Sequence, residues 1–334
     1  MRKKAHIIGT GKYLPKKVLT NADLEKMVDT SDEWIRTRTG IEERRIAEKD
    51  EFTSQMGKMA AEEAMKNAGI SAGDLDCILV STLTPDYIFP STACLLQDLL
   101  GAGNITALDI QAACTGYIYA LSIAKALIES GEKSCVLVVA SEKLSSIVNY
   151  EDRSTCVLFG DGSSACVVSG DPKGLSIKSL CLGSDGAQSH LLKMPGGGCR
   201  NPASPETLAQ NMHYVQMAGS EVFKHAVLRM ESSSKECLSK AGLREEDVNW
   251  LVPHQANMRI IHAIAKRFTH LPKERIYQVL RKYGNTSCAS VGIALSELLA
   301  KELVEEGNHL LLTAFGAGFT WGSCVLTMEK DTVL

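Results

Sequence analysis

The chain contains a weak internal repeat, and a repeat of this length constrains the fold more than any single motif does. Residues 66–80 read KNAGISAGDLDCILV, and residues 239–253, at an offset of 173 positions, read SKAGLREEDVNWLVP. A second match, at an offset of 174, aligns CTGYIYALS at 114–122 with CASVGIALS at 288–296. Since the offset is about half of the 334 residues, we predict two similar halves, 1–173 and 174–334. A chance likeness between two α/β units is the alternative.

Short β-rich runs alternate with amphipathic or apolar helical runs, which is typical of layered α/β proteins. The predicted strands cover residues 5–8, 77–81, 106–110, 135–140, 165–168, 251–252, 310–314 and 324–328. The predicted helices cover residues 54–68, 114–129, 219–241, 258–266 and 291–305. With 45% hydrophobic residues, the chain has ample material for a large core.

Charge and cysteine content argue against several classes of protein. The 36 basic and 39 acidic residues leave a net charge of −3, so we expect no nucleic-acid partner. Eleven cysteines without CxxC pairs indicate reduced thiols and a cytoplasmic protein. The first apolar stretch stops at Gly9 and no run approaches ~18 apolar residues, so we expect neither a signal peptide nor a membrane span.

Cys114 is a candidate nucleophile because it lies where a predicted strand runs through small residues into an apolar helix, ALDIQAACTGYIYALSIAKALI. At a helix N-terminus the dipole and free N–H groups favour the thiolate, so we expect a lowered pKa. A buried structural thiol is the alternative, since free cysteine is among the most buried residue types. Cys288 occupies the equivalent position in the second copy, and spacing alone does not choose between the two.

Two polar residues near predicted secondary structure are further candidates. His254 follows a short strand in NWLVPHQANMRII, and the carboxyl ends of strands in open α/β sheets are typical ligand sites. A structural histidine is the alternative. Asn285, in KYGNTSCAS, precedes an apolar helix, where a turn or a cap is its usual role. Residues 313–322, TAFGAGFTWG, predict a tight hairpin or, alternatively, a turn that exposes an N–H donor for an oxyanion.

No cofactor or metal is expected from the sequence. The glycines at 9–11 lack the third glycine of a dinucleotide fingerprint, and no GxxxxGK[ST] motif occurs. No HExxH motif, CxxC pair or His/Asp cluster offers a metal site. Residues 36–45 mix arginines with glutamates, which indicates a solvated surface, although Arg36 and Arg38 beside Trp34 have the chemistry to hold a phosphate while the indole stacks on a base.

Three motifs in combination resemble those of the β-ketoacyl-[acyl carrier protein] synthase III family, the condensing enzymes that start type II fatty-acid synthesis. They are Cys114 in AACTG, His254 in PHQAN and Asn285 in YGNTS. The likeness covers essentially the whole chain, with GTGKYLPKKVLTNADLEKMVDTSDEWIRTRTGIEERRIA near the start, FGDGSSA from Phe159 and AFGAGFTWGS near the end. Each motif alone is weak, whereas the combination is highly specific.

The resemblance implies the thiolase-like fold, in which duplicated halves stack in five α-β-α-β-α layers, usually in a homodimer. This agrees with the repeat. The resemblance also implies that Cys114 is the nucleophile and that Cys288 is a packing relic of the duplication.

The activity implied is the decarboxylative Claisen condensation of acetyl-CoA with malonyl-[acyl carrier protein], which gives acetoacetyl-[acyl carrier protein], CoA and carbon dioxide. Cys114 would carry the acetyl group, and the backbone N–H groups of Cys114 and Ala317 would hold the oxyanion. Neutral His254 and the amide of Asn285 would donate hydrogen bonds to the enolate, since asparagine cannot act as a base.

Other positions match the family's binding residues. Those matching the CoA site are Thr30, Trp34, Arg38 and Arg153, and those matching the pantetheine tunnel are Gly219, Phe223 and Asn257. Those matching the basic surface for the acidic carrier protein are Arg259, Lys266 and Arg267. Phe89 matches a residue that caps the acyl pocket of the partner subunit, which favours a short primer.

The sequence departs from the family at two places. Ala317 interrupts the commoner triple glycine and would strain the site if its position needed a positive φ. The ending EKDTVL runs past the expected final strand, and we assign it no function.

Other readings stay open at this point. A papain-like hydrolase also uses Cys, His and Asn but leaves the repeat unexplained. A thiolase would need a second catalytic cysteine, and Cys324 does not match the position of that cysteine. Hydroxymethylglutaryl-CoA synthase and a non-catalytic acyl-CoA sensor are further alternatives.

Overall fold

The computed structural model of the chain describes residues 3–329, so most of the ending EKDTVL lies outside the described residues. The strands are β1 (His6–Tyr13), β2 (Lys17–Thr20), β3 (Glu43–Ile46), β4 (Cys77–Ser81), β5 (Thr106–Ile110), β6 (Cys135–Glu142), β7 (Gly162–Ser169), β8 (Leu175–Ser184), β9 (Leu192–Lys193), β10 (Gln216–Met217), β11 (Trp250–Pro253), β12 (His309–Gly316) and β13 (Thr320–Met328). The α-helices are α1 (Asn21–Leu24), α2 (Asp32–Thr39), α3 (Thr53–Ala68), α4 (Thr92–Leu100), α5 (Gly116–Ser130), α6 (Arg153–Cys156), α7 (Pro205–Ala209), α8 (Gly219–Ala241), α9 (Met258–Ala265), α10 (Leu280–Tyr283) and α11 (Ala289–Ala300).

The same order of strands occurs on both sides of the main sheet. Its nine strands follow the order β11-β12-β13-β8-β1-β7-β6-β4-β5. At the centre, β1 and β8 are antiparallel neighbours through the pairs His6–Ser176 and Ile7–Leu175. Beside β1 lies the antiparallel strand β7, followed by the parallel pair β6 and β4. Beside β8 lies the antiparallel strand β13, followed by the parallel pair β12 and β11. The predicted boundary at residues 173 and 174 falls between β7 and β8, and the division into two domains stays a prediction.

The repeat at an offset of 173 encodes one local structure twice. Helices α3 and α8 each end at a glycine in the left-handed conformation, Gly69 with φ 71° and Gly242 with φ 72°. A short 3-10 turn follows, in which Asp74 and Asp247 each accept a hydrogen bond of 2.8 Å from the backbone N–H three residues earlier. The chain then enters β4 or β11. The likeness therefore marks a helix–turn–strand unit.

Helices cover the sheet in three layers. Helices α5 and α11 lie in the middle, where Leu121 and Leu295 share one buried cluster with Leu79 of the first half and Leu312 of the second. Helices α3 and α4 pack on the outer face of the first half and α8 and α9 on that of the second. Because α11 is apolar on almost every side, it is buried along most of its length. The α-β-α-β-α order confirms the expected thiolase-like fold.

Every predicted strand and helix is present, with differences at their ends. The helix predicted at 219–241 coincides with α8 and the strand predicted at 77–81 with β4. The pattern does not predict β8, because serine and lysine interrupt its apolar residues in LSIKSLCLGS although the strand lies at the centre of the sheet. Among the helices of residues 3–329, none has both the length and the apolar character that a bilayer span requires.

Candidate active site

Cys114 lies in the 3-10 turn Ala113–Thr115, which leads from β5 towards the N-terminus of α5. Ala113, directly before it, has a left-handed φ of 45°. Gly316 at the end of β12 approaches this turn so closely that a Cβ atom there would lie 2.7 Å from the backbone N of Cys114. Only glycine fits at 316 without a shift of the backbone, and the next residue, Ala317, lines a cavity together with Cys114.

The expected lowering of the Cys114 pKa is wrong. Burial raises the pKa of this thiol to about 12, against a lowering contribution from the hydroxyl of Ser287, and the carboxylate of Glu142 raises it further. A helix dipole contributes only about 0.3–1 kcal/mol, and Cys114 precedes the first turn of α5. The resting sulfur is therefore a thiol.

His254 follows β11, and its environment keeps the imidazole neutral. Its backbone N–H donates to the carbonyl of Thr313 at 2.8 Å, and its Nδ1 lies 2.6 Å from the hydroxyl oxygen of Ser290. That oxygen accepts the N–H of Gln255 at 3.2 Å, which leaves the Ser290 hydroxyl proton for Nδ1. Burial lowers the pKa of His254 to about 3. Consequently Nε2 carries the ring proton and can donate it in a hydrogen bond.

Asn285 is fixed by both its backbone and its side chain. Its N–H donates to the carbonyl of Leu158 at 2.8 Å, and its carbonyl accepts the N–H of Gly160 at 3.0 Å. The side-chain Oδ1 accepts the backbone N–H of Ser287 at 2.8 Å. Because that N–H can only donate, Oδ1 must face it. The Nδ2 group is the end of the amide that is available to donate.

One cavity of about 350 Å³ brings Cys114, His254 and Asn285 together. Other residues from the sequence prediction that line it are Trp34, Arg38, Gly219, Phe223, Asn257 and Arg259. A second cavity, of about 390 Å³, also reaches Cys114 and is lined by Ser287 and Ala317. Cys114 thus lies where two cavities meet, and residues of both halves line each of them.

Ala317 does not show the strain that the sequence suggested. Within residues 3–329, the non-glycine residues with positive φ are Ala113, Asn211, Ser287 and Glu302. Alanine is therefore compatible with the backbone at position 317. Cys288, the alternative nucleophile, is fully buried, lines neither cavity described above, and donates to the carbonyl of Ser81 at 3.3 Å.

Two of the residues matched to the CoA site lie together, and one of them, Trp34, lines the first cavity. The guanidinium of Arg153 lies 4.8 Å from the centre of the Trp34 ring and donates to the carbonyl of Asp29 at 3.0 Å. The hydroxyl oxygen of Thr30 is buried and has no hydrogen-bond partner among residues 3–329. Asn257 caps α9 through the N–H of Arg259 and donates to the carbonyl of Arg38 at 3.2 Å. It therefore joins α9 to α2.

The predicted basic surface is divided in the structure. Arg259 lines the cavity, with its guanidinium 5.2 Å from the centre of the Phe223 ring. Lys266 is exposed just after α9, whereas Arg267 forms an ion pair with Glu231 of α8. Phe89 is 84% exposed and does not line either cavity of its own chain.

Sequence reasoning missed Ser287, Ser290 and Glu142 as possible parts of the site. Ser290 lies inside the second copy of the repeat, at 288–296, and Ser287 directly precedes it. Because serine is common in turns and at helix starts, neither residue gives a distinct signal. Glu142 gives a clearer signal, because it is a charged residue at the end of the apolar run CVLVVASE.

Comparisons with known proteins agree with this geometry. The family described as 3-oxoacyl-[acyl-carrier-protein (ACP)] synthase III matches residues 108–186, and its C-terminal counterpart matches residues 238–328. The beta-ketoacyl-[acyl-carrier-protein] synthase III of Chlamydia muridarum is 59% identical over 324 residues, which are 97% of this chain and 99% of that protein. The enzyme of the same name from Caldanaerobacter subterraneus is 52% identical, with 98% of each chain covered.

A solved structure gives the same result. The crystal structure of 3-oxoacyl-[acyl-carrier-protein] synthase III from Aquifex aeolicus has a TM-score of 0.89 and 49% sequence identity, and the match covers 97% of this chain and 99% of that one. Identity at this level over nearly the full length establishes common descent as well as a common fold. The chain therefore belongs to the β-ketoacyl-[acyl carrier protein] synthase III family of condensing acyltransferases.

Proposed function

We propose that the protein condenses acetyl-CoA with malonyl-[acyl carrier protein] through an acetyl-Cys114 intermediate, giving acetoacetyl-[acyl carrier protein], CoA and carbon dioxide. The observation that carries this proposal is the single cavity lined by a thiol, a neutral imidazole and an amide, Cys114, His254 and Asn285. A nucleophile beside two neutral hydrogen-bond donors suits acyl transfer followed by stabilisation of an enolate.

In the first half-reaction, the sulfur of Cys114 attacks the acetyl carbonyl and CoA leaves. Since the pKa of the thiol is about 12, loss of its proton must accompany the attack, and that proton ends on the sulfur of CoA. The N–H groups of Cys114 and Ala317 are proposed to hold the tetrahedral oxyanion, and the close approach of Gly316 to the Cys114 backbone supports this pairing.

In the second half-reaction, malonyl thioester loses carbon dioxide, and the electron pair of the broken C–C bond forms an enolate. We propose that His254 Nε2–H and Asn285 Nδ2–H donate to the enolate oxygen. The enolate carbon then attacks acetyl-Cys114, the C–S bond breaks, and the sulfur leaves as a thiolate that takes a proton from solvent. The hydrogen bonds at His254 Nδ1 and Asn285 Oδ1 support these roles, because they direct the donor ends away from protein acceptors.

We propose that CoA binds at the outer end of the first cavity. The indole of Trp34 would stack on adenine, with Thr30 nearby, while Arg38 and Arg153 neutralise phosphate charge. The pantetheine arm would pass the residues matched to the tunnel, which are Gly219, Phe223 and Asn257. The support for this path is that Trp34, Arg38 and all three tunnel residues line the cavity that reaches Cys114.

We propose that the acidic carrier protein docks beside α9. Arg259, Lys266 and Arg267 are all exposed, and Arg259 also borders the first cavity. Arg267 would contribute less attraction, since Glu231 already neutralises it. Rim charges of this kind raise association rates and lose their effect as salt screens them, so the apparent KM for the carrier protein should rise with ionic strength.

We also propose a homodimer formed along β5, the outermost strand of the first half. An open strand edge with nearby apolar side chains favours pairing with another copy. Leu108 of β5 is 39% exposed, and Ile88 and Phe89 are 86% and 84% exposed. Phe89 of one subunit would then close the second cavity of the other. Dimerisation is tested by sedimentation of the parent chain and of Phe89→Asp.

The activity is tested in two stages on the purified protein. Incubation with acetyl-CoA should acetylate one peptide, the one that contains Cys114, and addition of malonyl-[acyl carrier protein] should release carbon dioxide and a ketoacyl product. Acetylation of Cys288 instead would overturn the site assignment. Loss of the acetyl group to water without a carbon–carbon product would indicate a hydrolase, and binding of acetyl-CoA without any acetylation would indicate a sensor.

A further inference from the structure

Glu142 is a buried carboxylate that the proposed reaction does not use. It is the last residue of β6, in the first half of the chain, and its exposed fraction is 0%. Within residues 3–329 it forms no ion pair. Burial raises the pKa of Glu142, and the hydrogen bonds that it accepts oppose this rise. A buried charge without a counter-ion persists only where such hydrogen bonds compensate its desolvation.

The two oxygens of this carboxylate contact different halves of the molecule. Oε2 accepts from the hydroxyl of Thr84 at 2.7 Å, the N–H of Leu83 at 3.1 Å and the hydroxyl of Thr82 at 3.2 Å. Oε1 accepts from the hydroxyl of Ser287 at 3.0 Å and the thiol of Cys288 at 3.1 Å. The carboxylate therefore joins the segment after β4 to the turn before α11.

That turn is the one that orients Asn285. The backbone N–H of Ser287 donates to Asn285 Oδ1, and Ser287 itself has a left-handed φ of 49°. A non-glycine residue in this conformation is strained and persists only where its surroundings hold it. The carboxylate of Glu142 accepts a hydrogen bond from the side chain of Ser287 and so stabilises this conformation.

We propose that Glu142 is a positioning residue: through Ser287 it holds the 285–288 turn of the second half in register with Cys114 of the first, and so aims the amide of Asn285. This inference rests on the proposed function, because it assigns Glu142 to the decarboxylation step. Acetylation of Cys114 depends on the oxyanion N–H groups, which lie on the other two segments of the site, and on the thiol, whose pKa the carboxylate of Glu142 raises and the hydroxyl of Ser287 lowers. The two half-reactions should therefore respond differently to loss of the carboxylate.

The test is a double-mutant cycle with Glu142→Gln, Ser287→Ala and the double variant. Acetylation of Cys114 and decarboxylation of malonyl-[acyl carrier protein] by the acetylated enzyme are measured separately. We expect each single variant to lower the decarboxylation rate about tenfold more than the acetylation rate. Because Glu142 acts through Ser287, the double variant should lie within about twofold of the slower single variant.

Asp161→Asn is the matched control. Asp161 is also fully buried, and it accepts hydrogen bonds from Ala47 and Ser145 of its own half. We expect this change to reduce stability and to lower both half-reactions in the same proportion. If Glu142→Gln behaves like this control, or if the single effects multiply in the double variant, the positioning role is refuted.

The experiment also separates a failure of the variant to fold and a failure of the proposed function from a failure of the positioning role. If Glu142→Gln does not fold, Ser287→Ala alone decides, and equal losses in both half-reactions would overturn the inference. A parent protein that forms no ketoacyl product would refute the proposed function itself, whereas an active parent with unaltered variants refutes only the role of Glu142.

Discussion

Ala113 and Ser287, 174 positions apart, both adopt the left-handed backbone conformation, with φ of 45° and 49°. Each directly precedes a cysteine, Cys114 or Cys288, at the start of a central helix. The two halves thus retain the same strained backbone turn before the central helix, although only Cys114 lines the cavities. The difference arises from burial, since the side chain of Cys288 is enclosed and bonded to Ser81 and Glu142.

The left-handed conformation of Ala113 leads to a prediction about the stability of the protein. Ala113→Gly should change the free energy of unfolding by less than about 1 kcal/mol, because relief of strain offsets the greater freedom of glycine in the unfolded chain. Ala112→Gly, at a negative φ of −142°, should lose about 0.5–1 kcal/mol. Denaturant unfolding of both variants measures the difference. A larger loss for Ala113→Gly than for Ala112→Gly would contradict the assignment of strain.

Asn285→Ala separates the two half-reactions. The variant should still accept an acetyl group on Cys114, while decarboxylation falls about 100-fold or more, as for other donors to a developing oxyanion. Mass spectrometry of the acetylated peptide and carbon dioxide release measure the two steps. Undiminished condensation by this variant would refute the role of Asn285.

Ser290 should determine which nitrogen of His254 carries the proton. Ser290→Ala removes the donor that lies 2.6 Å from Nδ1, so the proton can move to Nδ1 and Nε2 then ceases to donate. We expect decarboxylation to fall about tenfold, the value of one hydrogen bond to a developing charge, with acetylation little changed. Ser296→Ala, a buried serine of the same helix, is the control and should leave both steps within twofold of the parent.

Trp34 should contribute to binding of CoA and not to chemistry. Trp34→Ala should raise the KM for acetyl-CoA about tenfold, which is the usual effect of losing an aromatic stacking partner of a base, and leave kcat nearly unchanged. Trp34→Phe should recover part of the affinity. Steady-state kinetics with acetyl-CoA varied at saturating malonyl-[acyl carrier protein] gives both constants, and a fall confined to kcat would argue against adenine stacking.

His254 also predicts how stability depends on pH. Its pKa is about 3 in the folded protein and about 6.5 in an unfolded chain, so the unfolded state binds a proton that the folded state excludes. The stability that this group provides is complete above about pH 6.5 and is lost as the pH falls towards 3. Since His6 and His309 also have lowered pKa values, the measurement compares the parent with His254→Asn.

Between pH 6 and 4, the free energy of unfolding of the parent should fall more steeply than that of His254→Asn, by up to about 1.4 kcal/mol per pH unit. Denaturant titrations at several pH values give the two slopes. Equal slopes would show that His254 titrates normally in the folded protein.

Local features of this protein can be predicted from its sequence. The helix that ends at Gly242 and the turn closed by Asp247 depend on neighbours within a few residues, as do their counterparts at Gly69 and Asp74. The sequence alone therefore predicts the repeat, the ends of α8 and the motifs around Cys114. The five-layer fold follows from the family resemblance that those motifs carry.

The electrostatics of the site depend on tertiary structure. A helix N-terminus suggests a lowered pKa for Cys114, yet packing raises the pKa to about 12, since desolvation of a charge outweighs a dipole. The ion pair of Arg267 with Glu231 and the contact of Glu142 with Ser287 each join elements that are distant in the chain. Residue order fixes which groups are available, but burial and contacts across 145 positions arise only when the two halves pack together.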